Sequence, residues 1–453
     1  MKLAESGIHV GRSVKSYESW GRYPRVEPAR VVPLFWGNQP LPARSAGESL
    51  LAFGQGRSYG DSCLNAGGTL LDTAALSRFI AFDEAAGLLR CESGTTFAEI
   101  LDVIVPRGWF LPVSPGTRFV SVGGAIANDV HGKNHHVAGT FGAHVTRFEL
   151  ERSDGTRLVC SPDENAEMFR ATIGGLGLTG LILWAEFRLT RMVSPLIAVE
   201  KIRFSTLDEF FEINAASDKE FAYTVAWIDS LARGESLARG IFIRGNHVTE
   251  PSTWSRKPLS VDVPIDLPSF LLNGGTMRLF NEAYYRLHRG KTSYAVSHYE
   301  PFFYPLDMVR HWNRIYGARG FLQYQCVVPF ADGRGAIREI LERIARSGLG
   351  SFLSVLKTFG DRPSPGLLSF PRPGVTLALD FAFQGTATLR LLDELDGVVR
   401  AAGGAVYPAK DARMSPESFD AFFPQWRALA RAADPAFSSS FWRRVTGPLG
   451  AAA

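Results

Sequence analysis

The stretch Gly54–Asp61, with the sequence GQGRSYGD, constrains the fold more than any other, because it places three glycines within seven positions. Glycine adopts left-handed backbone angles and lets another group approach the main chain closely. Turns of this kind bind phosphate through main-chain N–H groups. The stretch is not a P-loop, because no Gly-Lys-Ser/Thr follows, and its third glycine comes one residue too late for a GxGxxG fingerprint. It therefore predicts a phosphate-binding turn of another type.

The composition is that of an ordinary globular protein. A chain of 453 residues, 45% hydrophobic and 21% charged, can form two or three domains with a sizeable core. The net charge of +4 is small for this length, so we expect no nucleic-acid partner. Residues 1–28 contain no apolar signal-peptide region, and the longest apolar runs are too short to span a bilayer. We therefore expect a cytoplasmic protein.

The order of the predicted elements indicates an α+β fold. From about Arg44 to Leu189, short strands and helices alternate with glycine turns. Thr96 and Glu99 form a capping-box pair at the start of one helix. Ser161 is the predicted N-cap of another helix, with a proline at its first position. From about Val193 the pattern becomes that of a second α+β domain with a mainly antiparallel sheet.

Two further stretches need an explanation. The run GLGLTG at residues 175–180 fits GxGxxG, but a helix precedes it and a strand follows it. A dinucleotide fingerprint needs the reverse order, so we do not expect a Rossmann site. Residues 246–276 are rich in Pro, Ser and Trp and show little periodicity, which predicts a long surface segment.

Residues 112–145 are rich in glycine and contain four of the nine histidines. A His-x-x-x-His-His pattern in a glycine-rich loop is not a zincin helix, and only Asp129 adds a carboxylate, so we expect no metal site. We expect His135, His136 and His144 mainly to satisfy local backbone groups. A cofactor-binding loop is the better interpretation, since small residues let amides approach a pyrophosphate and a flat ring. These small residues are Gly116, Ser121, Gly123, Gly124 and Ala127.

Five stretches occur in the order GQGRSYGD, PGTRFVSVGGAIANDVHGKNHH, ATIGGLGLTG, FLQYQ and YPAKDAR. Together they resemble the decaprenylphosphoryl-β-D-ribose 2-oxidase family, FAD-dependent oxidoreductases of the vanillyl-alcohol-oxidase type. The similarity runs from about Ser19 to near the C-terminus. It implies an FAD-binding domain of the PCMH type at residues 15–192, to which a C-terminal segment, 401–453, returns. An inserted substrate domain on a mainly antiparallel sheet is expected at residues 193–400.

The resemblance also implies how FAD is bound. The turn GQGRSYG and the loop SVGG are expected to wrap its diphosphate with backbone amides. In the wider superfamily a histidine near this turn bonds covalently to the flavin. Tyr59 stands in the turn here and cannot form that bond, so we predict noncovalent FAD. The Tyr59 side chain either lines the pocket beside the flavin or is only an aromatic residue of the core. The expected cofactor-binding residues are Gly54, Gly56, Arg57, Ser58, Tyr59, Gly60, Gly116, Thr117, Ser121, Val122, Gly123, Gly124, Asn128, His131, Gly132, Ile182 and Tyr407.

The chemistry implied by the resemblance is oxidation of a secondary alcohol. The C–H hydrogen leaves as hydride to the flavin, and the hydroxyl proton leaves to a base. Lys410 is the expected base or alkoxide stabiliser if burial lowers its pKa; otherwise it holds the substrate phosphate or the flavin, or lies on the surface. The expected catalytic residues are Lys410, His131 and Tyr59, and the expected substrate-binding residues are Lys133, Gln323, Gln325 and Lys410.

Gln323 and Gln325 alternate on one strand and so point to the same face. That arrangement suits two amides contacting a sugar, and equally a solvent-facing strand. Ala378 departs from the family, because mycobacterial members have a cysteine there, so the exact sugar or lipid chain can differ.

The substrate implied by the resemblance is a polyprenylphosphoryl-β-D-ribose, oxidised to the 2-keto sugar. A short-chain reductase would then complete the epimerisation to arabinose, for the cell envelope, and oxygen or a quinone would accept the electrons. A polyprenyl substrate implies peripheral membrane contact, and Trp254, Leu267 and Phe270 either contact lipid or pack in a surface loop. The alternatives are an FAD-dependent oxidase of a soluble sugar, aldonolactone or alditol, and a non-enzymatic flavin- or nucleotide-binding module.

Overall fold

The computed structural model describes residues 16–252, 260–268, 271–288 and 290–450. Helices and mainly antiparallel sheets are mixed, as expected of the α+β class. The strands are β1 (Arg30–Pro33), β2 (Leu50–Phe53), β3 (Thr69–Asp72), β4 (Phe79–Asp83), β5 (Leu88–Glu92), β6 (Trp109–Phe110), β7 (Val145–Glu151), β8 (Arg157–Cys160), β9 (Leu181–Arg188), β10 (Thr190–Arg191), β11 (Leu196–Phe204), β12 (Tyr223–Ile228), β13 (Gly240–His247), β14 (Val261–Asp262), β15 (Thr292–His298), β16 (Val309–Arg310), β17 (Phe321–Val328), β18 (Ser354–Phe359), β19 (Gly374–Ala382) and β20 (Ala405–Val406).

The helices follow the amphipathic stretches of the sequence. They are α1 (Phe97–Ile104), α2 (Val122–Ala127), α3 (His135–Ala138), α4 (Ala166–Thr172), α5 (Leu207–Ser217), α6 (Gly274–Leu287), α7 (Tyr299–Phe303), α8 (Phe330–Ser347), α9 (Thr386–Ala401), α10 (Pro416–Phe422), α11 (Trp426–Ala432) and α12 (Ser440–Gly450). No helix within the described ranges is both long enough and apolar enough to cross a bilayer.

The N-terminal part of the chain contains two sheets. Strands β1, β3 and β2 form a parallel sheet in that order, and β4-β5-β9-β7-β8 form an antiparallel one. The predicted capping box at the start of α1 is confirmed: Thr96 Oγ1 accepts from the Glu99 N–H, and the Glu99 carboxylate accepts from the Thr96 N–H. Leu101 of α1 packs in one core with Phe148 of β7 and Phe187 of β9.

The helix predicted to begin at Ser161 begins later. Helix α4 starts at Ala166, and Asn165 before it has a left-handed backbone with φ 49°. Ser161 Oγ instead accepts from the N–H groups of Asp163 and Glu164, at 3.2 and 2.9 Å. The predicted N-cap was therefore wrong, because the serine closes a local turn that competes with the helix.

The second part of the chain forms an antiparallel sheet of eight strands in the order β15-β11-β13-β12-β18-β19-β17-β20. Helices α8 and α9 cover one face, where Ile340 and Leu392 pack against Leu377 of β19. Every residue of β17 is buried, including the two glutamines Gln323 and Gln325. Buried amides need partners, and Gln323 finds Asp380 while Gln325 finds His131, a residue of the cavity described below.

The chain returns from this sheet to the N-terminal strands. After β20 pairs with β17, the Leu50 N–H of β2 donates to the Ala436 carbonyl at 2.7 Å, and Ser438 N–H donates to the Leu50 carbonyl at 2.9 Å. Arg444 of α12 pairs with Asp61 at 2.8 Å and with Asp411 at 2.9 Å. The C-terminal residues therefore close one side of the turn at residues 54–61.

The segment 246–276 contains the short strand β14, which pairs in parallel with β16. Trp254 and Phe270 lie outside the described residues. Leu267 is half-buried and donates its N–H to the Arg314 carbonyl at 2.9 Å.

Replacing Phe437 by alanine tests the packing of the returning chain. Its side chain is 3% exposed and packs against Leu34, Leu50 and Leu71. We expect Phe437→Ala to lower the free energy of unfolding by about 3 kcal/mol, measured by urea denaturation. The matched control Phe35→Ala removes a side chain of a residue that is 53% exposed, and it should change the free energy of unfolding by less than about 0.5 kcal/mol. Equal effects of the two variants would show that the returning chain does not support the fold.

Candidate functional site

A cavity of about 340 Å³ lies where the N-terminal loops, the eight-stranded sheet and the returning chain meet. It collects residues that are far apart in sequence. The predicted site residues on its wall are Gly54, Gly56, Arg57, Ser58, Tyr59, Gly116, Thr117, Ser121, Gly123, Gly124, Asn128, His131, Gly132, Lys133, Ile182, Gln323, Gln325, Tyr407 and Lys410. Gly60 and Val122 were also predicted but lie behind the wall.

The turn at residues 54–58 presents unpaired main-chain donors to this cavity. Within the described part of the chain, the N–H groups from Gly54 to Ser58 donate to no protein acceptor. Gly56 makes the turn possible with φ 61°, and a Cβ there would lie 2.8 Å from the Glu18 carbonyl and 2.9 Å from the Phe53 ring. Successive inward-facing amides form an anion-binding concavity. Gly56 is buried and the other four residues are half-buried, so a phosphate or diphosphate group fits the turn as the acceptor that its amides lack.

The loop SVGG does not offer its amides in the same way. It forms the first turn of α2, where Val122 N–H donates to the Thr95 carbonyl at 2.9 Å and Gly123 N–H to the Ser93 carbonyl at 2.7 Å. The expectation that these two amides wrap a diphosphate was therefore wrong, because both have protein acceptors. Gly123 is small for another reason: a Cβ there would lie 3.0 Å from the Ser93 Cβ.

Tyr59 and Lys410 come together because the returning chain is hydrogen-bonded to the turn. Tyr59 N–H donates to the Ala409 carbonyl at 2.9 Å, and Gly60 packs directly on the main chain of Asp411. The Lys410 Nζ lies 3.8 Å from the centre of the Tyr59 ring. Lys410 is thus a cavity residue and not a surface lysine.

The electrostatics around Lys410 are set by burial. Burial lowers the pKa of the Lys410 ammonium, and the nearby Asp380 carboxylate opposes that shift. Burial likewise raises the pKa of Asp380, against the hydrogen bond from Gln323 and the charge of Lys410. Tyr59 keeps its proton, since burial raises the pKa of its phenol well above the ordinary value.

The two glutamines of β17 face the cavity, not solvent. Gln323 donates through Nε2 to Asp380 Oδ1 at 2.5 Å, across the β17–β19 pair. Gln325 Nε2 lies 2.9 Å from His131 Nε2, so the amide donates to the ring and the ring proton lies on Nδ1. That Nδ1 has no protein acceptor among the described residues. Burial, with the charge of Lys357, holds the pKa of His131 well below its usual value, so the ring is neutral.

Lys357 of β18 is a cavity residue that the sequence interpretation missed. Its Nζ donates to the Gly132 carbonyl at 2.7 Å, and burial with the charges of Lys133 and Lys410 lowers its pKa to about 7. Lys133 Nζ donates to the Phe303 carbonyl at 2.9 Å, and burial lowers its pKa to about 8. A lysine among apolar residues of a central strand is the signal that should have identified Lys357, because lysine is almost never fully buried without a role.

The cavity wall carries cations without carboxylates. Arg57, Lys133, Lys357 and Lys410 line it, and no Asp or Glu does so among the described residues. The buried acid Asp380 lies behind the wall residue Gln323, to which it is hydrogen-bonded. Such a wall attracts anions. A lysine whose pKa lies near neutrality can also accept a proton from a bound hydroxyl group.

Of the remaining histidines of the glycine-rich loop, His144 bonds a local backbone carbonyl, as expected. His136 bonds a carbonyl that is distant in sequence, and neither ring nitrogen of His135 has a hydrogen-bond partner among the described residues. His136 Nε2 lies 2.9 Å from the Phe221 carbonyl, and His144 Nε2 lies 2.9 Å from the Ala138 carbonyl. His135 packs against Phe359, with ring centres 4.5 Å apart. Across the described ranges, no group of three His, Cys, Asp or Glu residues is arranged to hold a metal ion.

The run GLGLTG also reaches the cavity, although it is not a dinucleotide fingerprint. Helix α4 precedes it and β9 follows it, the order expected from the sequence. Leu176, Gly177 and Gly180 nevertheless line the wall, and Gly177 has φ 76°. Trp20 and Trp312 line the wall as well, and no motif in the sequence pointed to them.

The sequence of the chain is similar to those of several known proteins. Residues 42–161 match the FAD-binding domain family. The chain is 37% identical to decaprenylphosphoryl-β-D-ribose oxidase of Mycolicibacterium smegmatis, over 89% of this chain and 90% of that protein. It is 34% identical to an uncharacterised Streptomyces coelicolor protein, over 77% of this chain and 99% of that one. A putative D-arabinono-1,4-lactone oxidase of Neurospora crassa is 29% identical over 32% of this chain and 26% of its own length.

Replacing Gly56 by alanine tests whether the turn binds the cofactor. A Cβ at this position is strained in the left-handed backbone and collides with the Glu18 carbonyl and the Phe53 ring. The turn must therefore shift, and its unpaired amides no longer converge on the cofactor. We expect FAD to bind about tenfold more weakly, measured by titration of the apoprotein. Gly67→Ala is the matched control, because Gly67 also has positive φ but open space around it. Equal FAD affinities of the two variants would contradict a role of the turn.

Proposed function

Because this chain belongs to the family of decaprenylphosphoryl-β-D-ribose oxidase, we propose that it oxidises the 2-hydroxyl of a polyprenylphosphoryl-β-D-ribose to the 2-keto sugar. The chain is an FAD-dependent oxidoreductase. The choice of reaction rests on one observation: a turn with unpaired amides meets three lysines in one cavity. Lys357 is buried there, and Lys133 and Lys410 are half-buried. Alcohol oxidation by a flavin enzyme needs both an anchor for the cofactor and a group that takes the hydroxyl proton.

FAD accepts the hydride when it is bound. The amides from Gly54 to Ser58 would hold its diphosphate, and Arg57 adds a positive charge beside them. Tyr59 stands in the turn near which many members of the wider superfamily carry a flavin-linked histidine, and a phenol in its place supports a noncovalent attachment. Acid precipitation of the holoprotein should therefore release the flavin into the supernatant, and a yellow pellet would contradict this.

The proton of the sugar hydroxyl would leave to Lys410. Burial lowers the pKa of its amine, as it does for Lys133 and Lys357. Those two amines donate to main-chain carbonyls, whereas the Lys410 amine sits over the Tyr59 ring. Neutral His131, held by Gln325, would donate its Nδ1 proton to a substrate or cofactor oxygen. Lys133 would bind the substrate by its charge, and Gln323 and Gln325 would contact the sugar through their side-chain amides.

The chain would be organised as a two-part FAD-binding domain with an inserted substrate domain. We assign residues 15–192 and 401–453 to the first and 193–400 to the second. The hydrogen bonds of Leu50 with the segment around Phe437, and the Arg444–Asp61 ion pair, support the return of the tail. This arrangement places Lys410, from the tail, opposite the glutamines of the inserted sheet.

The keto product would pass to a short-chain reductase, which completes the epimerisation to arabinose for the cell envelope. Oxygen or a quinone would take the electrons from the reduced cofactor. Because the substrate carries a polyprenyl chain, the enzyme would work at the cytoplasmic face of a membrane as a peripheral protein.

Anaerobic flavin bleaching tests the substrate class. A short-chain polyprenylphosphoryl ribose should bleach the flavin, whereas free ribose, aldonolactones and alditols should not. Similarity to a putative lactone oxidase makes a soluble sugar the second candidate, and bleaching by a lactone or alditol alone would establish it. Bound FAD that no sugar reduces would indicate a non-enzymatic binding module.

Removal of the Lys410 amine tests its role as base. We expect Lys410→Met to slow flavin reduction at least about a hundredfold, while FAD content stays the same. Lys219→Met, at an exposed lysine, is the control and should reduce the flavin at the wild-type rate. An unchanged reduction rate in Lys410→Met would contradict the assignment.

The pH dependence gives an independent test of the same group. The neutral amine is the active form, so the rate of flavin reduction should rise with pH through the lowered pKa of Lys410. The Asp380 carboxylate favours the charged ammonium, so Asp380→Asn should lower that pKa further. In stopped-flow measurements, the pH range over which the rate of flavin reduction rises should then shift to lower pH. A pH profile that is unchanged, or that shifts to higher pH, would contradict coupling between the two groups.

A further inference from the structure

Helix α6 presents an apolar face to solvent. Leu279 is 73% exposed, Phe280 47% and Leu287 76%. With exposed Ala283 they form one stripe along the helix, because residues three, four and seven or eight positions apart share a face. A surface helix normally turns its charged and polar residues outward, so this stripe needs a partner.

The opposite face of α6 fixes the helix to the protein. Met277 and Asn281 are buried, and Tyr284 packs against Trp227 of β12 with ring centres 4.6 Å apart. Asn281 Nδ2 donates to Asp229 Oδ1 at 2.9 Å. The helix therefore cannot rotate its apolar stripe inward without breaking these buried contacts.

Basic residues flank the stripe. Arg278 and Arg286 on α6 and Lys291 just before β15 are exposed, and Lys291 also pairs with Glu209. Glu282 is the acid of this helix, and its carboxylate is already paired with Arg239 and Arg286. An apolar face with cations beside it is the signature of a helix that lies in the headgroup region of an anionic membrane.

The stripe is connected to the cavity by packed rings. The Phe280 ring lies 5.7 Å from the Phe352 ring, and Leu353, the next residue, lines the cavity. Leu272, just before α6, packs in the cluster that contains Tyr59 and Trp312. Helix α6 and the wall of the cavity are therefore joined by continuously packed side chains.

We propose that α6 lies on an anionic lipid surface, with Leu279, Phe280, Ala283 and Leu287 inserted among the acyl chains and Arg278 and Arg286 among the headgroups. This deepens the proposed function, on which it rests, by giving the surface from which a lipid-linked sugar enters the cavity. It also differs from the expectation drawn from residues 246–276, since Leu267, the described member of that apolar set, is half-buried.

Vesicle co-sedimentation of the FAD-loaded protein tests the surface. The double variant L279D/L287D should bind vesicles of phosphatidylglycerol and phosphatidylcholine at least about tenfold more weakly than wild type. The matched control I80D/F330D changes two apolar residues, 47% and 53% exposed, on β4 and at the start of α8, and should bind like wild type. Binding should also fall in high salt and in pure phosphatidylcholine, because the flanking arginines act by charge.

The outcomes separate this proposal from the proposed function. L279D/L287D should keep its FAD and bleach with a short-chain substrate at the wild-type rate, yet react slowly with a long-chain substrate embedded in vesicles. Wild type that does not sediment with anionic vesicles would overturn the lipid surface while leaving the reaction intact. Wild-type dimers that L279D/L287D converts to monomers in light scattering would also overturn it, because a second copy would then cover the stripe.

Discussion

The site depends on the contact between the turn at residues 54–61 and the chain that returns at residues 408–411. The Tyr59 N–H is bound by the Ala409 carbonyl, and Gly60 leaves room for the main chain of Asp411. Arg444 forms ion pairs with both Asp61 and Asp411 and so holds the two segments together. This junction positions Lys410 over Tyr59, and it leaves the amides before Tyr59 unpaired toward the cavity.

The junction also adds Lys410 to a wall that already carries Lys133 and Lys357. Lys357 is buried and the other two are half-buried, and burial lowers the pKa of each of them. Unpaired buried charge destabilises a protein, so an arrangement of this kind is retained when it serves binding or catalysis. An anionic cofactor and an anionic phosphodiester substrate would both relieve the repulsion among these ammonium groups. The geometry of the wall thus links folding, cofactor retention and proton transfer.

Much of the fold and site followed from local sequence signals. The capping box of α1 follows from Thr96 and Glu99, and the wrong start of α4 shows how Ser161 can close a turn instead. Gln323 and Gln325 were placed on one face by strand alternation alone. Lys357 was missed because its role depends on which strands become neighbours, and no short-range pattern contains that information. The unpaired amides at Gly54–Ser58 and the occupied ones at Val122 and Gly123 looked alike in sequence, since only tertiary contacts decide which N–H groups find acceptors.

The most direct test compares the affinities of the wild-type and Gly56→Ala apoproteins for FAD and for riboflavin, which lacks the diphosphate and the adenosine, by calorimetric titration. If the turn at Gly54–Ser58 binds the diphosphate, wild type should bind FAD at least about a hundredfold more tightly than riboflavin, and Gly56→Ala should lose part of that difference because main-chain hydrogen bonds to a charged group are lost. Equal affinities for the two flavins would contradict the account, since the cofactor would then be held by its ring alone.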